Sequence, residues 1–150
     1  MRYLEDYKIG EEFITSSVTV TETHIVNWSG LTQDNTGLHM SEEEAQQSVW
    51  KGRIAQGLLV MALAEGLWGR TPACAEMAAI ANFGVKDWLF TAPVRIGDTV
   101  HALVVVLGVK PSTTKPDRGI LHVKKSVINQ RGQEVQRGEN LYLLSRRPAG

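Results

Sequence analysis

The sequence predicts an α+β fold in which one long, buried helix is wrapped by a curved antiparallel sheet. The run of residues 54–68 is apolar on nearly every face, which is typical of an enclosed helix. After Gly69 the chain contains consecutive β-type segments joined by hairpin-like turns. Helices and strands are therefore segregated along the chain, which favours α+β over a parallel α/β arrangement.

Composition indicates one domain, residues 1–150, and argues against several kinds of partner. With 150 residues the chain is long enough for a single core. Sixteen Lys and Arg residues balance sixteen Asp and Glu residues, so the basic excess typical of nucleic-acid or acidic-membrane binding is missing. No run reaches the roughly 20 apolar residues of a membrane span, and the acidic N-terminus predicts no export. Cys74 is the only cysteine, so we expect a reducing, cytoplasmic setting.

The first predicted elements are a strand and a short helix. Residues 13–20 are rich in Thr, Ser and Val, which suit a half-buried strand. Thr21 fits the N-cap of the helix that follows. In that helix Ile25, Trp28 and Leu31 recur at a spacing of three, so we expect them to face the core together.

A loop and a second short helix lead into the long helix. Residues 32–40 contain Asp, Asn and Gly and predict a loop. Residues 41–44 have the Ser-x-x-Glu form of a capping box, so a helix begins there. Residues 51–53 interrupt that helix, and the long helix over 54–68 follows.

The second half of the chain predicts four or five antiparallel strands. The apolar or alternating segments that indicate them are residues 79–90, 99–109, 120–129 and 133–147. Residues 129–132 form a turn between the last two, because Gly132 can adopt the positive φ that a tight hairpin requires.

Asp34 and His39 stand five positions apart in the predicted loop. Hydration of an α,β-unsaturated thioester needs a base that takes a proton from water and an acid that supplies one to the α-carbon. A carboxylate and an imidazole offer both near neutral pH. The same residue types in a polar loop also occur as a cap and a surface side chain, so their spacing alone leaves both interpretations open.

Gly57 lies where the buried helix opens. A bare helix N-terminus presents free N–H groups and positive dipole character, which suit a thioester oxygen that gains charge as an enolate. A glycine here also allows close packing of the helix on the sheet, and the sequence does not separate these two roles.

Two segments together resemble the MaoC-like dehydratases and (R)-specific enoyl-CoA hydratases. The family pattern is Leu-Thr-Gly-Asp-x-Asn-Pro-Leu/Ile-His, a short acidic helix, and then Ile-Ala-His-Gly-Met/Leu-Leu. This chain has LTQDNTGLH at 31–39 and RIAQGLL at 53–59, with matching spacing. Further similar segments are IGEEF at 9–13, FTAPVRIGDT at 90–99 and NQRG at 129–132.

The resemblance implies a hotdog domain, in which the long central helix is wrapped by the sheet. It implies that Asp34 and His39 are the catalytic pair that activates water, and that the Gly57 amide donates to the thioester oxygen. Gln56 and Glu65 are expected beside the substrate, which would be a coenzyme A or acyl-carrier thioester. No cofactor and no metal ion are expected, and the protein is expected to form a homodimer or a dimer of dimers.

Three departures from the family pattern bear on function. Thr36-Gly37 replaces Asn-Pro, which removes a proline that would stiffen the loop. Gln56 replaces the histidine before the glycine. Glu65 falls near a position where some hydratases carry a serine, and a buried carboxylate there would be protonated, meet a partner or point toward the substrate.

Two alternative functions stay open at this point. A hotdog thioesterase uses the same fold and ligand, but generally places its carboxylate on or beside the central helix, as Glu65 would be. A non-catalytic acyl-CoA-binding subunit would keep the scaffold and lose turnover, which the changes at Thr36, Gly37 and Gln56 could reflect. The retained pair of Asp34 and His39 favours the hydratase.

Overall fold

A sheet of six antiparallel strands forms the framework of the computed structural model, which describes residues 1–148. The strands are β1 (Glu12–Ile14), β2 (Val18–Thr19), β3 (Ala79–Phe90), β4 (Thr99–Pro111), β5 (Arg118–Asn129) and β6 (Glu134–Ser145). Their order is β1-β4-β5-β6-β3, and β2 also pairs with β4. The helices are α1 (Glu22–Thr32), α2 (Gly37–Met40), α3 (Glu42–Gln47), α4 (Gly57–Gly69) and α5 (Pro72–Ala75).

One face of this sheet and one side of α4 form the core. Side chains alternate between the two faces of a strand, and in β4 the buried ones are Val100, Ala102, Val104 and Val106. The buried side of α4 packs against this face through Leu59, Val60, Ala64 and Trp68. The α+β class and the helix-on-sheet arrangement predicted from the sequence are confirmed.

The long helix begins three residues later than predicted. Residues 54–56 have no regular secondary structure, Gln56 lies outside the helical region with φ −58° and ψ 133°, and the Ala55 amide donates to the Val94 carbonyl at 2.7 Å. The helix is also not enclosed on every side, since Leu58 is 58% exposed. The helix therefore has apolar residues on the side that faces the core and also on a side that is exposed to solvent in the single chain.

No helix within residues 1–148 has the length and apolar content needed to cross a membrane.

The N-terminal elements differ from the prediction in three places. The strand over 13–20 is divided into β1 and β2. The loop over 32–40 contains the one-turn helix α2. Leu31 was expected in the core and is 79% exposed, because six residues rotate it about 120° away from the fully buried Ile25. Ser29, four residues after Ile25, is 1% exposed and occupies the buried side instead.

A charged cluster lies between α4 and the sheet. Lys125, on β5, has no solvent exposure, and its ammonium group donates to the Glu65 carboxylate and to the Tyr142 hydroxyl, the latter at 2.7 Å. The Tyr142 hydroxyl donates to the other carboxylate oxygen of Glu65 at 3.0 Å. Burial lowers the pKa of Lys125 from its ordinary value, and Glu65 opposes that shift. Of the options considered for the Glu65 carboxylate, the structure shows that it meets a partner.

Glu65→Leu is expected to destabilise the fold by about 3–5 kcal/mol, because it leaves the Lys125 charge buried without its partner. The double variant Glu65→Leu/Lys125→Met should recover most of this loss, since both charges are removed. Urea unfolding at one fixed protein concentration measures the difference. As a control, Asp117→Asn breaks the exposed pair with Arg118 and should cost at most about 1 kcal/mol. A double variant as unstable as Glu65→Leu would contradict this account of the cluster.

Candidate active site

A cavity of about 370 Å³ opens at the N-terminal end of α4. Four of the five residues predicted to form a site line this cavity: Asp34, His39, Gln56 and Gly57. Other wall residues come from α1, from the end of β3 and the segment after it, and from β6, and include Trp28, Phe90, Val94 and Gln136. The fold thus brings the two sequence motifs together around one space.

His39 lies on α2 with its ring largely buried. Its Nδ1 atom is 2.8 Å from the carbonyl oxygen of Ile54. Because a carbonyl oxygen can only accept a hydrogen bond, this contact requires the proton on Nδ1. In neutral His39 the Nε2 atom is then an unprotonated acceptor, and it lies 4.0 Å from Oδ2 of Asp34. The imidazole is therefore oriented to act as a base toward a water molecule.

Asp34 occupies the loop between α1 and α2. Its Oδ1 atom accepts hydrogen bonds from the Thr36 hydroxyl at 2.7 Å and from the Thr36 amide at 3.4 Å. The hydroxyl bond is the main reason that the pKa of Asp34 lies below its ordinary value, and burial opposes it in part. Asp34 is therefore ionised at neutral pH, and its Oδ2 atom is the one nearest His39.

The Thr36-Gly37 departure keeps a side-chain donor beside Asp34. Thr36 supplies the hydroxyl described above. Gly37 begins α2, and a side chain at this position would overlap the carboxylate of Glu44 in its present place. The loop is therefore arranged around the small residue, and a substitution at Gly37 would require Glu44 to move.

Arg53 connects this loop to α1. This role was not predicted from the sequence. Its Nε atom donates to the His39 carbonyl at 2.6 Å, while its guanidinium makes two bonds of 2.9 Å with the Glu22 carboxylate on α1. A bidentate arginine–carboxylate pair holds its geometry well. Only the position of Arg53 directly before the second motif could have indicated this role.

Gln33 is a second residue that the sequence analysis missed. It ends α1 in the left-handed conformation with φ 64°, and its amide donates to the Ser29 carbonyl at 2.8 Å. This conformation costs a residue with a side chain about 1–2 kcal/mol. The family pattern given above has glycine at this position. Because glycine adopts the left-handed conformation readily, the pattern could have predicted a left-handed residue directly before Asp34.

Gly57 packs closely against the sheet, and its position at the helix N-terminus is compatible with the oxyanion role that the sequence left open. A Cβ atom here would lie 3.0 Å from the Phe90 ring, so the glycine allows close packing. The first bond within α4 runs from the Val60 amide to the Gln56 carbonyl at 3.2 Å. The amides of the first turn, including that of Gly57, therefore have no acceptor within the helix and give this cavity wall a positive dipole end.

Gln136 fixes the position of the α4 N-terminus relative to the sheet. Its Nε2 atom donates to the Gly57 carbonyl at 2.9 Å. Its Oε1 atom accepts from the indole N–H of Trp88 at 3.1 Å. Both polar ends of this buried amide are thereby used, so the side chain forms a rigid wall of the cavity.

Glu65 does not line this cavity, although the sequence predicted it beside the substrate. It is eight residues after Gly57, or about 12 Å along the helix axis. It is not among the residues that line the cavity, and its carboxylate is held by Lys125 and Tyr142. The sequence placed Glu65 on the correct helix but could not show that Lys125, sixty residues away, would face it.

The assembled groups suit acid–base chemistry on a polarised carbonyl compound. One wall offers an imidazole nitrogen that can accept a proton beside an ionised carboxylate. An adjoining wall offers backbone amides at a helix N-terminus, which can stabilise a developing oxyanion. Within residues 1–148 no group of three or more His, Cys, Asp and Glu side chains is arranged to hold a metal ion.

Comparisons with known proteins place these features in a family context. Residues 6–128 match the sequence profile of the MaoC like domain. The (R)-specific enoyl-CoA hydratase of Rhodospirillum rubrum is 38% identical over 112 residues, which cover 74% of each chain. A MaoC-like dehydratase structure from the same organism superposes with a TM-score of 0.87 at 31% identity, covering 98% of this chain and 99% of that one. A monoamine oxidase regulatory protein from Archaeoglobus gives a TM-score of 0.91 at 34% identity, with 97% and 95% of the chains covered.

Thr36→Val is expected to raise the pKa of Asp34 toward its ordinary value. The Thr36 hydroxyl stabilises the ionised carboxylate, so without it protonation begins at a higher pH. A carboxyl ¹³C NMR titration measures the shift. Thr32→Val is a matched control, because the Thr32 hydroxyl contacts the Asp34 amide and not its carboxylate. Equal titration of Asp34 in wild type and Thr36→Val would refute the assigned cause.

Proposed function

The chain belongs to the family of MaoC-like domains, as its motifs suggested, and from this premise we propose that it is an (R)-specific enoyl-CoA hydratase. It adds water to an α,β-unsaturated acyl thioester, or removes water from the 3-hydroxyacyl thioester. The observation that carries the proposal is the approach of His39 Nε2 to Asp34 Oδ2 at 4.0 Å in a cavity that also contains a helix N-terminus. The named activity of the Rhodospirillum rubrum relative supports it.

The reaction assigns one role to each group. A water molecule held between His39 and Asp34 loses a proton to Nε2 of His39 as its oxygen bonds to the β-carbon. The thioester carbonyl becomes an enolate, and the Gly57 amide stabilises the negative oxygen. The proton then reaches the α-carbon and the carbonyl reforms, so one water supplies both the hydroxyl and the hydrogen on the same face.

The proposed substrate is a coenzyme A or acyl-carrier thioester, and the reaction requires no cofactor. Apart from Asp34 and His39, the cavity wall is largely apolar, which suits an acyl chain. The configuration at the β-carbon depends on which face of the double bond receives the water, and we expect the (R) product for a simple 3-hydroxyacyl chain because of the family resemblance.

The position of Glu65 favours the hydratase over the thioesterase. A hotdog thioesterase of the kind considered needs an accessible carboxylate on the central helix. Glu65 is the carboxylate of α4, and it is engaged by Lys125 and Tyr142 outside the cavity. The carboxylate that does line the cavity is Asp34, which faces an imidazole.

Asp34→Asn and His39→Gln should each lower turnover by at least about a hundredfold, because each removes a group that handles the same water. The double variant should be little worse than either single one, since residues that act as a unit are strongly non-additive. The assay follows the loss of enoyl absorbance with a panel of enoyl-CoA thioesters, with product stereochemistry determined afterwards.

Three outcomes would oppose this mechanism. Near-normal hydration by both folded single variants would exclude the pair as acid and base. Release of free thiol from an acyl-CoA would indicate a thioesterase. Tight binding of the thioesters by wild type without any chemistry across the panel would indicate a non-catalytic subunit.

We further expect a homodimer, or a dimer of such dimers, built on strand β3. This strand lies at the edge of the sheet, where one side of its backbone has no partner strand within residues 1–148. Its exposed apolar side chains are Ile80, Phe83, Val85, Leu89 and Phe90. Long apolar edge strands are normally covered by pairing, and a second copy of the chain satisfies this with a twofold contact.

Sedimentation equilibrium should give at least twice the chain mass of 16.6 kDa at micromolar concentration. Phe83→Glu places a charge on the edge strand and should weaken the assembly by at least about tenfold in dissociation constant. Ile9→Glu changes a similarly exposed residue away from β3 and should have no such effect. A wild-type mass of one chain, or equal weakening by both substitutions, would contradict pairing through β3.

A further inference from the structure

All three proposed catalytic groups are connected to one short segment, residues 54–57, which directly precedes and begins α4. The Ile54 carbonyl accepts the hydrogen bond from His39 Nδ1 at 2.8 Å. The Ala55 amide binds the Val94 carbonyl at 2.7 Å, which attaches the segment to the chain that leads into β4. Gly57 supplies the free amide at the helix N-terminus. The remaining residue, Gln56, accounts for Asp34.

Gln56 reaches Asp34 through one intermediate residue. Its side-chain Nε2 donates to the Ser29 hydroxyl oxygen at 2.9 Å. The Ser29 hydroxyl donates to the main-chain carbonyl of Asp34 at 2.8 Å, and the Met40 sulfur, a weaker acceptor, lies 3.1 Å from the same hydroxyl. Gln56 is 2% exposed and Ser29 is 1% exposed, so water competes little for these bonds. The amide donation occupies an acceptor site of Ser29, and this polarises the hydroxyl toward Asp34.

The Gln56 side chain is used for its N–H group alone. Its carbonyl oxygen is buried, and no donor within the described residues reaches it. A buried oxygen without a partner lowers stability, so glutamine is a poor choice here if packing is its only purpose. Gln56 lowers stability in this way beside the loop that carries the proposed catalytic carboxylate, Asp34. This placement indicates that the site requires the N–H group of Gln56.

We infer that Gln56 is a positioning residue that holds Asp34, through Ser29, at a set distance from both His39 and the Gly57 amide. The inference rests on the proposed hydratase function. Asp34 and the α4 N-terminus belong to separate elements, and both must address one substrate. Gln56 is part of the helix N-terminus through its main chain and of the Asp34 loop through its side chain, so it sets the spacing between them.

Gln56→Met keeps the size of the side chain and removes the N–H donor. We expect kcat for enoyl-CoA hydration to fall by about tenfold to a hundredfold, because misplacement of a reacting group by about 1 Å has effects of this size. KM should change by less than about threefold. The unfolding midpoint should stay the same or rise, since the buried unpaired oxygen is also removed. A merely structural role would instead lower stability and leave kcat of the folded enzyme unchanged.

Gln56→His restores an N–H donor and is expected to recover most of kcat. Ser29→Ala removes the middle link and should match the loss in Gln56→Met, with the double variant no worse than either. In an Asp34→Asn background Gln56→Met should have almost no further effect. Gln136→Met is the matched comparison. It removes an equally buried side-chain amide from the same cavity wall, but this amide binds the Gly57 carbonyl and not Ser29. Any loss of kcat in Gln136→Met should therefore persist in the Asp34→Asn background.

Amide ¹⁵N relaxation gives a readout that does not require turnover. Asp34 and Asn35 should lose order in Gln56→Met and keep it in Gln136→Met. Unchanged relaxation together with wild-type kcat in Gln56→Met would overturn the inference, and so would a loss that multiplies fully with Asp34→Asn. If wild type hydrates no enoyl thioester, the proposed function fails, and the relaxation comparison alone then decides whether Gln56 orders the Asp34 loop.

Discussion

The hydrogen bond between the Ala55 amide and the Val94 carbonyl is the constraint on which the site depends. The apolar side of α4 must face the sheet, which fixes the direction of the helix, but burial alone does not decide where the helix begins. This bond holds Ala55 against the segment after β3, outside the helix, and α4 starts at Gly57. A start three residues earlier would draw the Ile54 carbonyl into the helix and away from His39. The same short segment therefore sets the start of α4 and the orientation of the His39 ring. It also leaves the Gly57 amide free at the helix N-terminus.

Buried polar groups lie near both ends of α4, but they differ in whether their hydrogen bonds are satisfied. At the far end Lys125 is fully buried, but Glu65 and Tyr142 satisfy it, so the cluster is complete within the protein. At the cavity end the local rules are broken without such compensation. Gln33 adopts a left-handed conformation, and no donor among residues 1–148 reaches the buried Gln56 oxygen. Asp87 is also left-handed and the buried Asn140 amide also lacks a partner among these residues, so such a violation indicates a functional site only together with other evidence, which for Gln56 is its place in the cavity wall.

Patterns that act over a few residues were predictable from the sequence, and contacts between distant segments were not. Residues 54–68 were read as a helix from their apolar content, yet the Ala55–Val94 bond that delays its start joins segments that no local pattern relates. Leu31 was placed in the core by spacing, but a six-residue step turns it toward solvent. The motif placed Asp34, His39 and Gly57 around one cavity. It could not reveal that Ser29 connects Gln56 to Asp34, because a buried serine in a helix carries no signal of its own.

The departures from the family pattern preserve hydrogen-bond donors although they change residue types. Thr36, in place of asparagine, donates its hydroxyl to the Asp34 carboxylate, and Gln56, in place of histidine, donates its amide to Ser29. Gly37, in place of proline, loses a stiff residue, but the loop is held from outside by Arg53, which binds the His39 carbonyl and Glu22. The bonds of Thr36 and Gln56 act on Asp34, directly or through Ser29, and the bond of Arg53 acts on His39. Their common effect is on the geometry of the proposed acid–base pair, which favours the proposed hydratase over a non-catalytic subunit.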